Sequence, residues 1–292
     1  MQLAGVIVTE YALKLKQPKS VIFYGETAGN GKSEILKTLK SLLSHGDVCS
    51  IDPKDFKNEY SRLILRNKKL NIVAELSGKA LDSHYTKQII TGDMIEAREI
   101  YKMPINFRCE AQQVWAGNIL PSFFGGMDKG VQRRMGLLCF NRVIPDEEKE
   151  IDIGERIARE EGQLLLGFAV LGAIDVINEG DFVFPTSSLD IIDQWKGEAD
   201  NALGFIQECV RASGDYLKVS SQSVYDHYVE WAKRSGIRAD HIFTLKGFIQ
   251  RFKNNLPAGI TYKRTNAARG FEGLELLPFE EGNHDFSKSA KK

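Results

Sequence analysis

The spacing of apolar and polar positions predicts a strand, a glycine-rich loop and a helix near the start of the chain. Residues 19–24 (KSVIFY) form a short β-branched and aromatic run of the length typical of a buried strand. After the glycines, apolar residues recur at helical spacing over residues 33–43. Residues 1–16 have a loosely apolar face, which predicts a short helix ahead of this unit.

Three later apolar runs predict further strands of the same sheet, at residues 70–76, 113–116 and 136–140. Between the first two of these, the pattern predicts an amphipathic helix at 83–91 and a hairpin over 95–107, whose second arm Pro104 places at an edge. Strands separated by helical stretches indicate a largely parallel sheet covered by helices. The predicted fold class is therefore α/β, with a core at residues 1–146.

The pattern changes after this core. Helices are predicted over 147–179 and 188–211, separated by a loop that contains Pro185. Two more helices, at 223–235 and 244–254, precede two short strands at 259–264 and 270–277 around a basic tip. This order predicts a helical segment at 147–211 and a small winged-helix-like domain at 212–278. The polar residues 279–292 are predicted to be a disordered tail.

Composition and charge exclude few classes. The 39 basic and 39 acidic residues cancel, so a contact with nucleic acid must come from a local patch or an assembled pore. The four cysteines (Cys49, Cys109, Cys139 and Cys209) are scattered singly, which predicts reduced, mostly buried thiols and no metal or disulfide framework. No signal peptide and no apolar stretch of 18 residues is recognised, so a soluble cytoplasmic protein without a membrane span is expected.

Residues 25–33 (GETAGNGKS) end in the Gly-Lys-Ser of a phosphate-binding loop. In such a loop, backbone N–H groups and the following helix N-terminus bind the phosphates of a nucleoside triphosphate, here ATP. Lys32 is expected at the β- and γ-phosphates and Ser33 at Mg²⁺. Five residues separate Gly25 from Gly31 where the pattern has four, so either the loop has one extra residue or Glu26 replaces its first glycine. The predicted nucleotide-binding residues are Gly25, Glu26, Thr27, Ala28, Gly29, Asn30, Gly31, Lys32 and Ser33.

Hydrolysis also needs an acid and a group that orients water, usually at the ends of neighbouring strands. Glu75, at the end of the apolar run 70–76, is the predicted acid and metal ligand. Because position 74 is Ala74, either Glu75 does both jobs or Asp93 or Asp128 assists it. Asn118 ends the next predicted strand and can hydrogen-bond the γ-phosphate or the attacking water.

Together with these elements, the stretch 87–107 (KQIITGDMIEAREIYKMPINF) and the residues around Arg133 and Arg134 resemble superfamily-3 helicases. The resemblance is to the phage, plasmid and poxvirus primase–helicase branch of the AAA+ ATPases. It is strong over residues 5–145 and weaker in the C-terminal region. It implies an AAA+ core in which Glu75 is the Walker B acid and Asn118 is sensor 1.

The resemblance further implies that Arg134 or Arg133 acts as an arginine finger across a subunit interface; the sequence favours Arg134. The hairpin would project into the channel of a homohexamer, where Arg98 and Lys102 would follow single-stranded DNA. Lys87 would face either the nucleotide or the interface. Relatives often carry a primase module, which is expected here only in a longer protein or in trans, because the chain begins about 20 residues before the loop.

The predicted function is an ATP-dependent DNA helicase that moves 3′→5′ on single-stranded DNA in phage or plasmid replication. One alternative is a replication initiator or loader that assembles on DNA without processive unwinding. A small-molecule kinase is disfavoured, because residues 98–107 and the paired arginines suit a pore and a shared interface better than a closing lid.

Overall fold

A computed structural model describes residues 1–124, 126–199, 201–213, 218–237, 239, 242–264 and 269–279, with the backbone alone for 196–199. Contacts divide the chain into two compact units, Met1–Ala199 and Asp200–Lys292. The predicted division at 146, 211 and 278 stays a prediction, and the tail beyond residue 279 and the hairpin tip 265–268 lie outside the described residues.

The first unit contains eight of the described α-helices and seven strands. The helices are α1 (Gln2–Thr9), α2 (Lys32–Ser41), α3 (Glu59–Arg62), α4 (Ser83–Thr91), α5 (Lys129–Gln132), α6 (Ile153–Glu160), α7 (Gly162–Glu179) and α8 (Thr186–Ala199). The strands are β1 (Ser20–Tyr24), β2 (Val48–Cys49), β3 (Leu70–Val73), β4 (Met94–Ala97), β5 (Ile105–Arg108), β6 (Gln112–Gly117) and β7 (Met135–Cys139).

Five of these strands form one parallel sheet in the order β2-β3-β6-β1-β7, so the predicted parallel sheet covered by helices is confirmed. Strand β1 lies between β6 and β7 and is buried on both faces. Ile22 packs in the same cluster as Trp115, whereas Val21 and Phe23 pack with the helices on the opposite face. Burial on both faces explains why this strand reads as a continuous apolar run.

Several predicted boundaries are wrong. Strand β3 ends at Val73, and Ala74 and Glu75 leave the sheet and are exposed. Residues 147–179 do not form one helix: α6 and α7 are separated at Glu161, whose φ of −122° is not helical. The break has a packing cause, because α6 packs against α2 while α7 packs against α1. The predicted helix over 1–16 ends at Thr9, and the one over 188–211 is α8 followed by a second helix that ends at Cys209.

Among the described residues, α7 is the one helix long and apolar enough to cross a membrane, with a mean hydropathy of 1.3 over 18 residues of which 22% are buried. The prediction that the chain has no such apolar stretch is wrong in this respect. A core helix passes the same test of length and composition. Here α7 packs closely on α1, since a Cβ at Gly172 would lie 2.2 Å from the Met1 carbonyl oxygen.

The second unit contains α9 (Asn201–Cys209), α10 (Ser221–Arg234) and α11 (Leu245–Asn254). Its strands are β8 (Val210–Ala212), β9 (Lys218–Ser220), β10 (Thr261–Arg264), β11 (Arg269–Glu272) and β12 (Leu274–Leu276). Strands β10-β11-β9 form an antiparallel sheet, and β12 pairs with β8. The predicted strand over 270–277 is two strands, because Gly273 has a φ of +73°. Aromatic rings fill the core, with Phe205 against Tyr228, Phe248 and Phe252.

Candidate functional site

A cleft of about 610 Å³ opens in the first unit beside the C-terminal ends of β1, β3 and β6. Because these strands are parallel and adjacent in the sheet, the residues that follow them meet at one edge. Three predicted elements line the cleft: the phosphate loop with the start of α2, the acid after β3 and the amide after β6. The lining residues from these elements are Ala28, Gly29, Asn30, Gly31, Lys32, Ser33, Glu34, Ala74, Glu75, Gly117 and Asn118.

The loop leads directly into the first turn of α2. Gly29 and Gly31 have φ angles of 74° and 82°, and Gly31 is the N-cap of the helix. These left-handed angles favour glycine and let backbone N–H groups turn towards the cleft. Ser33 stands in the first turn of α2 and is exposed where it lines the cleft. The N-terminus of α2 therefore provides an anion-binding end at the wall of the cleft.

Lys32 is folded back onto its own loop. Its Nζ donates to the carbonyl oxygens of Gly25 (3.3 Å) and Thr27 (3.2 Å) and to Asn30 Oδ1 (2.8 Å). Only 8% of the residue is exposed, and desolvation lowers the pKa of the ammonium group. These neutral acceptors hold the charged amine at the cleft, where phosphate oxygens can replace them.

Asn30 fastens the loop to the neighbouring strand. Its Nδ2 donates to the carbonyls of Thr27 (2.8 Å) and Phe140 (3.0 Å), so it ties the loop to the segment that leaves β7. The amide also lies against Gly25, where a Cβ would come within 2.3 Å of Asn30 Nδ2 and 2.7 Å of the Phe140 oxygen. Position 25 therefore has no room for a side chain, which explains the glycine there.

Glu75 and Asn118 line the same cleft, and both side chains are exposed. A hydroxyl from Ser33 and a carboxylate from Glu75 on one cleft are oxygen donors of the kind that Mg²⁺ binds in nucleotide sites. The two alternative acids are not brought to the cleft. Asp93 Oδ2 accepts from Thr91 Oγ1 (3.0 Å), and Asp128 pairs with Lys87.

The Lys87–Asp128 pair has an Nζ–Oδ2 distance of 2.8 Å, and Asp128 Oδ1 also accepts from the Val131 N–H at the N-terminus of α5. Burial acts to raise the pKa of Asp128, but the hydrogen bonds from Lys87 and Val131 prevail and lower it. Lys87 therefore holds the start of α5 and does not line the cleft.

Sequence reasoning missed the opposite wall of the cleft, which is formed by residues between β7 and the start of α6. The Ile144 N–H donates to the Gly29 carbonyl (2.9 Å), and the Gly154 N–H donates to Glu34 Oε2 (2.9 Å), so this segment is fastened to the loop and to α2. In the sequence, this wall is indicated by isoleucines that recur within an otherwise acidic stretch. The wall residues are Ile144, Glu148, Lys149, Glu150, Ile151, Asp152 and Ile153.

The two candidate finger arginines differ in their surroundings. Neither lines the cleft of its own chain. Arg134 is half-buried, donates from Nη1 to the Gly130 carbonyl (2.6 Å), and has a pKa lowered first by desolvation and then by the charge of Arg133. Arg133 is exposed and forms no ion pair with the residues that the structure describes.

Strands β4 and β5 form the predicted antiparallel hairpin, with Ile95 opposite Phe107 and Ala97 opposite Ile105. Arg98 directly follows β4, at the start of the loop that joins the two strands: its Nε is 2.8 Å from Glu59 Oε1, and its Nη2 donates to the Tyr60 hydroxyl (3.0 Å). The hydrogen bond that Arg98 donates to Tyr60 and the charge of Glu59 raise the pKa of Arg98.

The tip of the hairpin is mostly apolar. Lys102 pairs with Glu99, while Ile100, Tyr101 and Met103 are 66%, 103% and 83% exposed. Tyr101 also has a φ of 64°, which is uncommon for a residue with a Cβ. In the sequence, the apolar residues between Glu99 and Pro104 indicate this surface. The prediction from sequence considered only the cations of the hairpin.

Two family descriptions match separate parts of the chain. A family of unknown function, DUF5906, matches residues 23–134, which include the phosphate loop, Glu75, Asn118 and both arginines. A family described as poxvirus D5 protein-like matches residues 197–285. Each match spans less than half of the 292 residues. None of the curated proteins matches the chain.

Among solved structures, the chain is similar to two apo structures of the C-terminal region of NrS-1. One has a TM-score of 0.51 at 15% identity and covers 89% of this chain, which spans 58% of that structure. The other has a TM-score of 0.50 at 14% identity, and the match covers 94% of this chain and 71% of that structure. These likenesses indicate a shared fold. A JCV helicase structure also matches, at 11% identity and a TM-score of 0.32, over 70% of this chain and 64% of that structure.

Proposed function

We propose that this protein is an ATP-dependent DNA helicase of the superfamily-3 type, with an AAA+ core, and that it acts in phage or plasmid replication. One observation carries the proposal: the phosphate loop, Glu75 and Asn118 meet on one cleft at the edge of a parallel sheet. The match to a poxvirus D5 protein-like family and the fold shared with the NrS-1 C-terminal region support a replication protein related to primase–helicases.

In the proposed reaction the loop N–H groups and the α2 N-terminus bind the phosphates of ATP. Lys32 exchanges its loop carbonyls for phosphate oxygens and neutralises their charge. Ser33 and Glu75 would hold Mg²⁺, which supplies further neutralisation of the phosphates. Glu75 also orients the attacking water and accepts its proton, and Asn118 hydrogen-bonds the water or the γ-phosphate without adding negative charge.

The positions of the two arginines imply an active site that is shared between neighbouring subunits. Because neither lines the cleft of its own chain, a finger must reach the cleft of a neighbouring subunit in a ring, proposed to be a homohexamer. The exposed, unpaired Arg133 is better suited to reach outward than Arg134, which is held by the Gly130 carbonyl. We therefore assign the finger to Arg133, a change from the preference that the sequence gave for Arg134. Such a finger contributes roughly 10³ to 10⁵ in rate.

The β4–β5 hairpin is the proposed contact with single-stranded DNA in the pore, in 3′→5′ translocation. Lys102 reaches phosphates from the tip, and the pair that it makes with Glu99 is exposed and costs little to open. Tyr101 offers a ring on which a base can stack. Arg98, held by Glu59 and Tyr60, fixes the start of the hairpin loop. The second unit is proposed to be winged-helix-like, and a primase module is proposed as a partner in cis or in trans.

The phosphate loop is tested by Lys32→Ala, with the exposed helix residue Lys40→Ala as the matched control. Lys32→Ala should abolish ATP hydrolysis, and Lys40→Ala should leave it unchanged. Full ATPase activity in Lys32→Ala would remove the basis of the proposal. Unwinding is tested by strand displacement on a substrate with a 3′ tail. ATPase activity that DNA stimulates without strand displacement would contradict the helicase proposal and favour the initiator or loader.

The shared site is tested by mixing variants. Arg133→Ala subunits should be inactive alone and should regain part of the ATPase activity when mixed with Lys32→Ala subunits. An interface in which the Arg133→Ala subunit supplies the loop and the Lys32→Ala subunit supplies the finger then has both parts intact. The same experiment with Arg134→Ala is the matched control. Rescue with Arg134→Ala but not with Arg133→Ala would reverse the assignment.

A further inference from the structure

Helix α7 exposes more large apolar side chains than any other element in the described part of the chain. Seven of them are 48–62% exposed, whereas no other described helix, strand or loop exposes more than three. Apolar residues that stand singly on a surface are ordinary, but a contiguous group of this size indicates a contact surface. The seven residues are Leu164, Leu166, Phe168, Val170, Leu171, Ile174 and Ile177.

These residues share one side of the helix, and together with Gly167 they form what we call the α7 face. At about 100° per residue, the exposed positions lie on an arc centred on Gly167, opposite the buried side that packs on α1. A Cβ at Gly167 would meet no atom within 4 Å, so the middle of the arc is open. Over residues 164–174 every exposed position is apolar or glycine, and Asp175 and Asn178 follow only towards the end of the helix.

The α7 face does not suit a membrane. Both ends of the helix are fastened to the first unit: the Gly180 carbonyl accepts from the Lys16 N–H (2.8 Å), and α6, which leads into α7, is tied to α2 by the bond from Gly154 to Glu34. A helix held in this way lies along the surface of its unit. Residues 162–179 also contain no lysine or arginine, the residues that bring a helix to an anionic lipid surface.

The α7 face is large enough for a stable contact between proteins. Seven side chains, each about half exposed, add up to roughly 600 Å² of apolar surface, the upper limit for the largest patch on a typical monomer. Two such faces would bury about 1,200 Å² of surface, the lower limit for specific, stable interfaces. Contact with water is unfavourable for a surface of this kind, and a partner of matching size removes it from water.

We infer that two copies of this chain associate through their α7 faces in a two-fold symmetric contact. Among the described residues, an apolar face of this size exists only on α7, so a second copy matches it by presenting the same face. Such a contact is isologous and closes at two copies. It is distinct from the proposed ring contact, which is head-to-tail and brings Arg133 to a neighbouring cleft, because α7 contributes no residue to that cleft. The inference therefore does not depend on ATP hydrolysis.

Cross-linking of the full chain without nucleotide tests the symmetry of the contact. Leu171 lies near the middle of the α7 face, where a two-fold axis brings a residue next to its own counterpart in the partner. Leu171→Cys should therefore be joined into dimers by a short bis-maleimide. Ile64→Cys, at a residue outside α7 that is 49% exposed, is the matched control and should not be joined. The wild type measures the background from the four native cysteines, three of which are buried.

Sedimentation velocity then measures the strength of the contact. Gly167→Glu adds a carboxylate in the middle of the α7 face, where the single chain has open space, so the fold is kept while two like charges meet in the dimer. It should weaken self-association at least about 100-fold, because like charges that meet in an interface strongly oppose association. Gly162→Glu is the matched control: it lies about 140° around the helix from Gly167, and a Cβ there also meets no atom within 4 Å. This control should associate as the wild type does.

A monomeric wild type together with no cross-linked dimer of Leu171→Cys would overturn the inference. Flotation with phosphatidylcholine vesicles that Gly167→Glu abolishes, again without a cross-linked dimer, would also overturn it, since the face would then bind lipid. Loss of a nucleotide-dependent ring in Gly167→Glu without that dimer would assign α7 to the head-to-tail contact and refute the two-fold one. Absence of ATPase activity in the wild type would refute the proposed function and leave this inference standing.

Discussion

Gly25→Ala tests whether Asn30 fills the space that the irregular loop creates. The added Cβ would lie 2.3 Å from Asn30 Nδ2, 2.7 Å from the Phe140 carbonyl oxygen and 3.1 Å from Lys32 Nζ. The Asn30 and Lys32 side chains can shift away from the added Cβ, but the Phe140 oxygen belongs to the backbone, so its clash also requires a shift of the main chain. Overpacking of this kind costs about 1–3 kcal/mol.

Two consequences can be measured. For a unit of 199 residues, each kcal/mol lowers the unfolding temperature by about 2–4 °C, so Gly25→Ala should lower that of the first unit by roughly 2–12 °C. Displacing Lys32 removes a charge-assisted hydrogen bond to phosphate worth about 1.5–3 kcal/mol, which weakens ATP binding roughly 10- to 150-fold. Differential scanning calorimetry and titration with a fluorescent ATP analogue measure the two effects.

Gly46→Ala is the matched control, because a Cβ at Gly46 meets no atom within 4 Å. It should leave both the unfolding temperature and the affinity near those of the wild type. If Gly25→Ala also keeps the wild-type unfolding temperature and affinity, then Asn30 does not occupy the space beside Gly25.

Three further predictions concern the rest of the first unit. Asp128→Asn keeps the cap of α5 but loses the charge opposite Lys87. Because the pKa of Asp128 is lowered in the folded protein, the variant should be less stable than wild type by a constant amount from pH 7 to 5, and the difference should shrink as the pH falls below about 4. Thermal unfolding measured against pH checks this. Burial raises the pKa of the Cys109 thiol to about 12, so this thiol should react with a disulfide reagent far more slowly at pH 8 than the half-buried Cys139, and equal rates would contradict its burial. Tyr101→Ala should weaken single-stranded DNA binding by about 1–3 kcal/mol with basal ATPase unchanged, whereas equal loss in Tyr101→Phe would rule out stacking.

The elements of the first unit that depend on local sequence could be predicted well. Helix α4 has the predicted bounds, because Asp82 accepts from the N–H groups of His84 and Tyr85 at its start and Gly92 ends it in a left-handed conformation. The hairpin and the parallel strands were equally recognisable from short apolar runs. The phosphate loop, Glu75 and Asn118 could be expected to meet because the ends of parallel strands share one edge of a sheet.

Features that depend on distant partners could not be predicted. Nothing around Arg98 in the sequence indicates its partners almost 40 residues earlier, Glu59, which neutralises its charge, and Tyr60, which accepts its hydrogen bond. The strands β8 and β9 are three residues each and exist because β12 and β11, some 50 to 60 residues later, pair with them. The break between α6 and α7 likewise follows from their different packing partners, since the chain has no proline there.

The cations of the β4–β5 hairpin are compensated by neighbouring acidic residues. At the hairpin, Arg98 is neutralised by Glu59 and Lys102 pairs with Glu99. The feature that distinguishes this surface is therefore its exposed apolar tip with Tyr101. Stacking of a base on a ring releases few counterions and depends weakly on salt, whereas contacts between lysine and phosphate release them. It follows that the single-stranded DNA contact proposed for the hairpin should persist at high salt and should be weakened by Tyr101→Ala.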